Sequence, residues 1–231
     1  MKTNQRILGV AVLLASVLAG CGGGGDSAPA ANYDVAKAWQ NYLTGTHSWA
    51  ASGTGSEGKS YALTYEVAPG PVSVFPRTGA NGARADVTST IRVNGVLQPF
   101  FPFLGYVFYN AASYGVFGWQ AVTVPSCSTD VAGPALPTAA AVGTGGAFYV
   151  ETEYADCVPG SAATGTTVAT WSLELDSGYP LFCMNSTERD LAGIVAGTGA
   201  LCFEVAADGT LGRRFRSTSA GGGTTLTVRN F

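Results

Sequence analysis

"ARADVTSTIRVNGV", Ala83 to Val96, decides the fold class. Ala83, Ala85, Val87, Ser89, Ile91 and Val93 fall at every second position, and Arg84, Asp86, Thr88, Thr90 and Arg92 fall between them. Successive side chains of a strand point to opposite faces, so this period of two predicts a strand with its apolar set on a core. Asn94-Gly95 then supplies the two residues that a tight hairpin turn needs. The same period governs the chain from Gly45 onward. It predicts further strands at about 46–53, 59–67, 97–109, 115–124, 146–156, 167–176, 180–187, 200–207, 210–218 and 224–230. "APGP", "LDSGYP" and "AADGTL" read as turns, and "RDLAGIVAG" as a short helical turn. With 32 glycines and few helix-forming runs, the chain reads as all-β, an antiparallel barrel or sandwich of about ten strands. One helix precedes them. Val35, Ala38, Trp39, Tyr42 and Leu43 are spaced i, i+3, i+4, i+7, i+8, with Asp34 placed to cap the start and Gly45 to close the end.

The chain opens with Lys2 and Arg6 and runs into ILGVAVLLASVLAG, Ile7 to Gly20. Fourteen apolar residues are too few to span a bilayer, which takes ~20, and match the core of a signal peptide. The segment ends in "LAGC", Leu18 to Cys21, which resembles the lipobox of bacterial lipoproteins. The resemblance implies cleavage before Cys21, a lipidated Cys21, and membrane attachment through N-terminal acyl chains. In that class Gly22, rather than Asp, after the cysteine implies the outer membrane of a Gram-negative cell, with the domain facing the periplasm. Residues 1–20 are thus expected to be a signal peptide, 21–32 the lipidated cysteine and a flexible Gly/Ser/Ala/Pro tether, and 33–231 a single all-β domain.

Without residues 1–20, ten basic and fifteen acidic residues remain, a net charge of −5. That argues against nucleic acid as a partner, which selects clustered Lys and Arg. "RRFR", Arg213 to Arg216, has no aromatic stacking partners of the kind a nucleic-acid surface uses and reads as a solvated edge strand. Cys127, Cys157, Cys183 and Cys202 form an even set in an oxidising compartment, so two disulfides are expected. Three pairings are open, and nearest-neighbour pairing closes the shorter loops. No C-x-x-C spacing supports a metal site instead, and no cofactor is expected.

"GTGSEGKS", Gly53 to Ser60, matches the phosphate-loop pattern letter for letter. A phosphate loop needs a helix N-terminus behind it, because the helix end and loop amides hold the phosphates. Here Tyr61, Leu63, Tyr65 and Val67 alternate as a strand, so the match reads as a hairpin loop and nucleotide binding is not expected. His47 is the single histidine, so every Ser-His-Asp or Cys-His arrangement must pass through it; beside Trp49 it reads as a structural residue. In "FYVETEYADC", Glu151 and Glu153 share a strand face ~7 Å apart. Such a pair suits a glycosidase or a calcium site. The same alternation is that of a half-exposed strand, acids outward and Phe148, Val150 and Tyr154 on a buried face.

Val96 to Trp119 packs five phenylalanines, three tyrosines and a tryptophan into 24 residues, interrupted by Pro99 and Pro102. It reads as core filling, a docking surface or the wall of a lipophilic pocket, for which Phe100, Phe101, Phe103 and Tyr106 are the candidate ligand contacts. A helix followed by a long antiparallel meander on a lipid anchor resembles the half-barrel of lipoprotein-localisation receptors, which implies binding of a lipophilic molecule. An envelope docking protein and a hydrolase using Glu151 and Glu153 are the alternatives. The terminal Phe231 suggests an integral barrel, but Arg229, Thr227 and Thr225 stand where such a barrel puts apolar residues.

Overall fold

The computed structural model describes residues 31–231; residues 1–30, on which the expected signal peptide and the lipidation of Cys21 fall, lie outside them. Asp34 opens the helix as its spacing predicts: Oδ1 accepts from the Lys37 amide at 2.8 Å, and α1 runs Val35–Thr44. The Gly45 amide closes it on the Asn41 carbonyl, and Val35, Ala38, Trp39, Tyr42 and Leu43 are all buried.

The strands are β1 (His47–Gly55), β2 (Ser60–Val74), β3 (Asn81–Val93), β4 (Val96–Leu97), β5 (Phe103–Tyr109), β6 (Val116–Ala121) and β7 (Ser126–Ala132). They continue with β8 (Gly145–Tyr154), β9 (Ala163–Asp176), β10 (Tyr179–Asp190), β11 (Val195–Val205), β12 (Leu211–Gly221) and β13 (Thr224–Arg229). β4 is a two-residue appendage on β3. Every other strand pairs antiparallel with its neighbours in sequence, and β13 pairs back on β1. Twelve strands therefore close an up-and-down barrel, not the half-barrel that the element order suggests. Closure pairs each barrel strand on both sides, so "RRFR" lies on a central strand with β11 on one side and β13 on the other.

Four local expectations are corrected by the pairing. "SCSTDVA" is strand β7, although its run of small polar residues shows no apolar face. "APGP" is a bulge within β2 where the register shifts between Gly70 and Ser73, because β3 continues to pair past it. Pro99 and Pro102 hold back β5, which begins at Phe103 rather than residue 97. "RDLAGIVAG" is the β10–β11 turn, in which the Asp190 carboxylate accepts from the Ala192 and Ile194 amides. Asn94-Gly95 makes the expected tight turn, with φ of 49° and 82°. "GTGSEGKS" is the β1–β2 hairpin, closed by the Gly55 amide on the Lys59 carbonyl.

Twelve strands ~4.8 Å apart and tilted ~40° give a backbone radius of roughly 12 Å. Inward side chains cannot fill that width, and a helix ~10 Å across can. α1 does so at one end. Trp39 packs edge-on against Phe148 at 4.8 Å, and Tyr42 meets Phe203 at 5.4 Å. Trp49, Tyr65, Phe203 and Phe215 form the aromatic layer around it, with Trp49 and Phe203 4.5 Å apart. Trp39 Nε1 donates to the Tyr114 carbonyl and Trp49 Nε1 to that of Gly212, so neither buried indole is left unpaired.

The outer face is mostly polar, apart from a row of exposed Val131, Val150 and Val168 across β7, β8 and β9. Thr64, Thr88, Thr90, Thr170 and Thr227 point outward, with ion pairs Arg84–Asp86, Arg214–Glu204 and Arg216–Asp176 between them. A barrel that spans a bilayer carries an apolar band ~25 Å tall there instead. Both disulfides lie on this face in nearest-neighbour pairing. Cys183–Cys202 joins directly opposed residues of β10 and β11, and Cys127–Cys157 ties β7 to the β8–β9 loop.

Candidate binding site in the barrel lumen

Beyond the aromatic layer the lumen continues as a cavity of about 460 Å³ toward the end opposite the helix. Its walls combine Phe103, Trp119, Tyr65, Tyr149, Met184 and Leu201 with Ser89, Ser186, Thr167, Glu151, Glu153 and Glu188. Gly105 faces inward opposite Val87, and a Cβ there would lie 3.1 Å from both the Phe103 and Trp119 rings. Its absence lets those rings stack at 5.8 Å across the wall. Gly197 makes room on the facing side, where a Cβ would come 3.3 Å from a Glu188 carboxylate oxygen.

Glu151 and Glu153 thus point into the lumen, reversing the expected acid-out reading. Val150 is exposed on the outer face of β8, and Tyr154 lies on the same face under the Arg77 guanidinium. Register explains the acids' grouping. Asp130 of β7 stands opposite Glu151 of β8, Glu151 opposite Thr167 of β9, and Thr167 opposite Glu188 of β10. Three carboxylates and one hydroxyl therefore cross four strands in a single row, with Glu153 one row nearer the rim.

The hydrogen bonds of this cluster are few. Thr167 Oγ1 donates to Glu153 at 2.5 Å, and Ser128 Oγ to Asp130 Oδ1 at 3.3 Å. The other Asp130 carboxylate oxygen is buried without a partner. Burial, with Asp130, Glu153 and Glu188 alongside, pushes the Glu151 carboxyl up to about 8. Burial pushes Asp130 up to about 7 against the pull of the Ser128 hydroxyl. Tyr149 is raised chiefly by burial and then by Glu151 and Asp130. Tyr42 and Tyr65, raised by burial, bond each other at 2.5 Å on the cavity floor.

The four aromatic candidates separate. Phe103 lines the lumen; Tyr106 lies on the outer face beneath Arg84; Phe101 is half-buried in the rim loop; Phe100 stands 71% exposed at the rim. The dense aromatic stretch is thus divided between lumen, outer face and rim. Phe108 and Phe117 pack outside under Phe75, which the β2–β3 loop folds over them. Sequence reasoning missed Asp130, Glu188 and Trp119 as lumen groups; alternation divides each strand into two faces, but neither the inward face nor the register that aligns the acids is a local property. His47 is structural, bonding the Asn41 carbonyl at 2.8 Å and stacking on Trp49. Glu174 comes within 4.8 Å of both Cys183 and Cys202 sulfurs, but the disulfide removes their thiolates, and Arg216 takes the carboxylate.

A second cavity, of about 490 Å³, lies between α1, Tyr114 and residues 132–138 at the helix end. There Gln40 Nε2 already donates to the Tyr114 hydroxyl at 2.6 Å, so the lumen, with its unpaired carboxylates, is the stronger candidate site. Comparison with protein families, with curated proteins and with solved structures finds no match for this chain.

Proposed function

We propose that this protein is a lipid-anchored envelope protein of the outer membrane whose barrel holds a lipophilic small molecule in its lumen, without turning it over. The observation that supports this is the 460 Å³ cavity itself, which a helix plug and an aromatic floor close at one end and Phe103 and Trp119 flank. Sites for drug-sized ligands run ~300–1,000 Å³, mostly apolar with a few convergent polar groups. Residues 31–231 form one compact unit with each barrel strand paired on both sides, so the barrel can be studied without Cys21. Native mass spectrometry of residues 26–231, secreted to the periplasm and purified without detergent, tests the reading. A reproducible added mass, released on unfolding and lost in Phe103→Asp, supports it. A mass equal to the chain less four hydrogens, together with no thermal shift from any lipophile, refutes it.

A docking role is the second reading, favoured by the rim. Four turns at the end opposite the helix carry exposed apolar side chains: Val96, Leu97 and Phe100; Val122 and Val124; Val158; Leu191, Ile194 and Val195. Apolar side chains that converge from separate hairpins suit contact with a lipid surface. Co-sedimentation with phospholipid vesicles that falls in a Phe100→Asp, Ile194→Asp variant supports it; equal sedimentation of both forms counts against it.

A further inference from the structure

We propose that the lumen ligand is a positively charged amphiphile, an ammonium group on an apolar body, held by the carboxylates of β8 and β10 with its apolar part against Phe103 and Trp119. The inference rests on the lumen-binding reading and names the ligand class. Its basis is where this protein puts its cations. On the outer face four acids have arginine partners: Asp86 has Arg84, Glu204 has Arg214, and Glu174 and Asp176 share Arg216. Inside, Glu151, Glu153 and Glu188 line a cavity to which, among the described residues, no Lys, Arg or His contributes.

Sheet register makes this placement costly. Asp130 and Glu151 face each other directly, and like charges at opposed positions repel. A buried carboxylate oxygen without a donor is a further cost, and Asp130 carries one. An anionic ligand would add to the repulsion, and a neutral hydroxyl would supply a donor but leave the repulsion in place. A cation within ~4–6 Å of the row favours the charged carboxylates, and an ammonium brings the donors that the row lacks. The aromatic wall suits the same ligand, because Phe103 and Trp119 line the cavity and can bury its apolar part. The size and half-apolar lining of the cavity favour an organic cation over a bare metal ion, which would need its oxygens within one coordination sphere.

The test uses three amphiphiles with the same twelve-carbon chain, dodecylammonium, dodecanoate and dodecanol, titrated below their micellar concentrations at pH 7.5 and followed by tryptophan fluorescence and calorimetry. The ammonium is expected to bind about tenfold or more tightly than either of the others. Glu151→Gln with Glu153→Gln, folding checked by circular dichroism, is expected to bring the three within about threefold. The comparison on the wild-type barrel stands alone if that variant fails to fold. Equal binding of all three, or tightest binding of dodecanoate, overturns the charge assignment and leaves the lumen-binding reading intact. Binding of calcium but of no amphiphile overturns it in favour of an inorganic site. Binding of nothing overturns both readings.

Discussion

Replacing Glu151 by glutamine should stabilise this protein by an amount that grows as the pH rises from about 4.5 toward 8. Opposed residues in an antiparallel pair have Cβ atoms ~5 Å apart. At an effective dielectric of ~20, two carboxylates at that separation repel by about 3 kcal/mol. The direction with pH follows from where the carboxyl titrates. Its ordinary value is 4.5, and in the folded barrel burial and the acids of β7, β8 and β10 carry it to about 8. The folded state therefore binds this proton more tightly than the unfolded chain does. The stability it contributes is complete below about pH 4.5 and is lost as the pH climbs toward 8. The groups that face it are Asp130 from β7, Tyr149 and Glu153 on its own strand, Thr167 from β9 and Glu188 from β10. Glu151→Gln would keep the shape of the side chain and remove its charge. At pH 8 the variant should gain about 3 kcal/mol, roughly 6–12 °C in Tm for a barrel of this size. At pH 4 the two proteins should melt together. Urea and thermal unfolding at half-unit steps from pH 4 to 9 measure this directly. A variant no more stable than wild type at pH 8 would refute the repulsion, and an equal gain at pH 4 would show that packing rather than charge is responsible.

Three further outcomes test the scaffold. Cys127→Ala with Cys157→Ala opens a loop of separation 30 and should cost about 3–4 kcal/mol by denaturant titration under non-reducing conditions; an unchanged midpoint would deny the bond a stabilising role. Asp34→Ala removes the acceptor for the Lys37 amide and should lower stability by about 1 kcal/mol, with Asp34→Asn restoring most of it. Phe203→Ala removes the fully buried ring that Trp49, Tyr42 and Phe215 enclose and should cost about 3–5 kcal/mol; a loss below about 1 kcal/mol would mean that the aromatic layer is loosely packed.

Local rules carried the sequence a long way. The 3.6-residue spacing of Val35 to Leu43 specified α1, its buried face and both caps, because helix periodicity and capping involve residues within a turn of each other. The period of two in Ala83 to Val93 specified β3 and its inward face, with Ala85 and Val87 buried. The hairpin after Asn94 and the rejection of a phosphate loop at Gly53–Ser60 rested on equally local chemistry. The even cysteine count marked two disulfides, and the pairing became definite only when Cys183 and Cys202 took opposed places on adjacent strands.

Tertiary structure decided the rest. Alternation divides a strand into two faces without saying which is inside. In β8 the aromatic Phe148 and Tyr154 led the reading, and the fold put Glu151 and Glu153 in the lumen and Val150 in solvent. A filled core would forbid that, but twelve strands enclose more width than their side chains fill, and one helix occupies only one end. The space left over is what admits acids to the interior. Asp130, Glu151 and Glu188 are far apart in sequence, and their row exists only because β7, β8, β9 and β10 adjoin in register. Closure of β13 on β1 is likewise a global event, fixed by strand count and tilt rather than by any one segment. Sequence alone determined the helix, most of the strands and their chemistry; the closed barrel determined which of those side chains meet, because enclosure is a property of all twelve strands together.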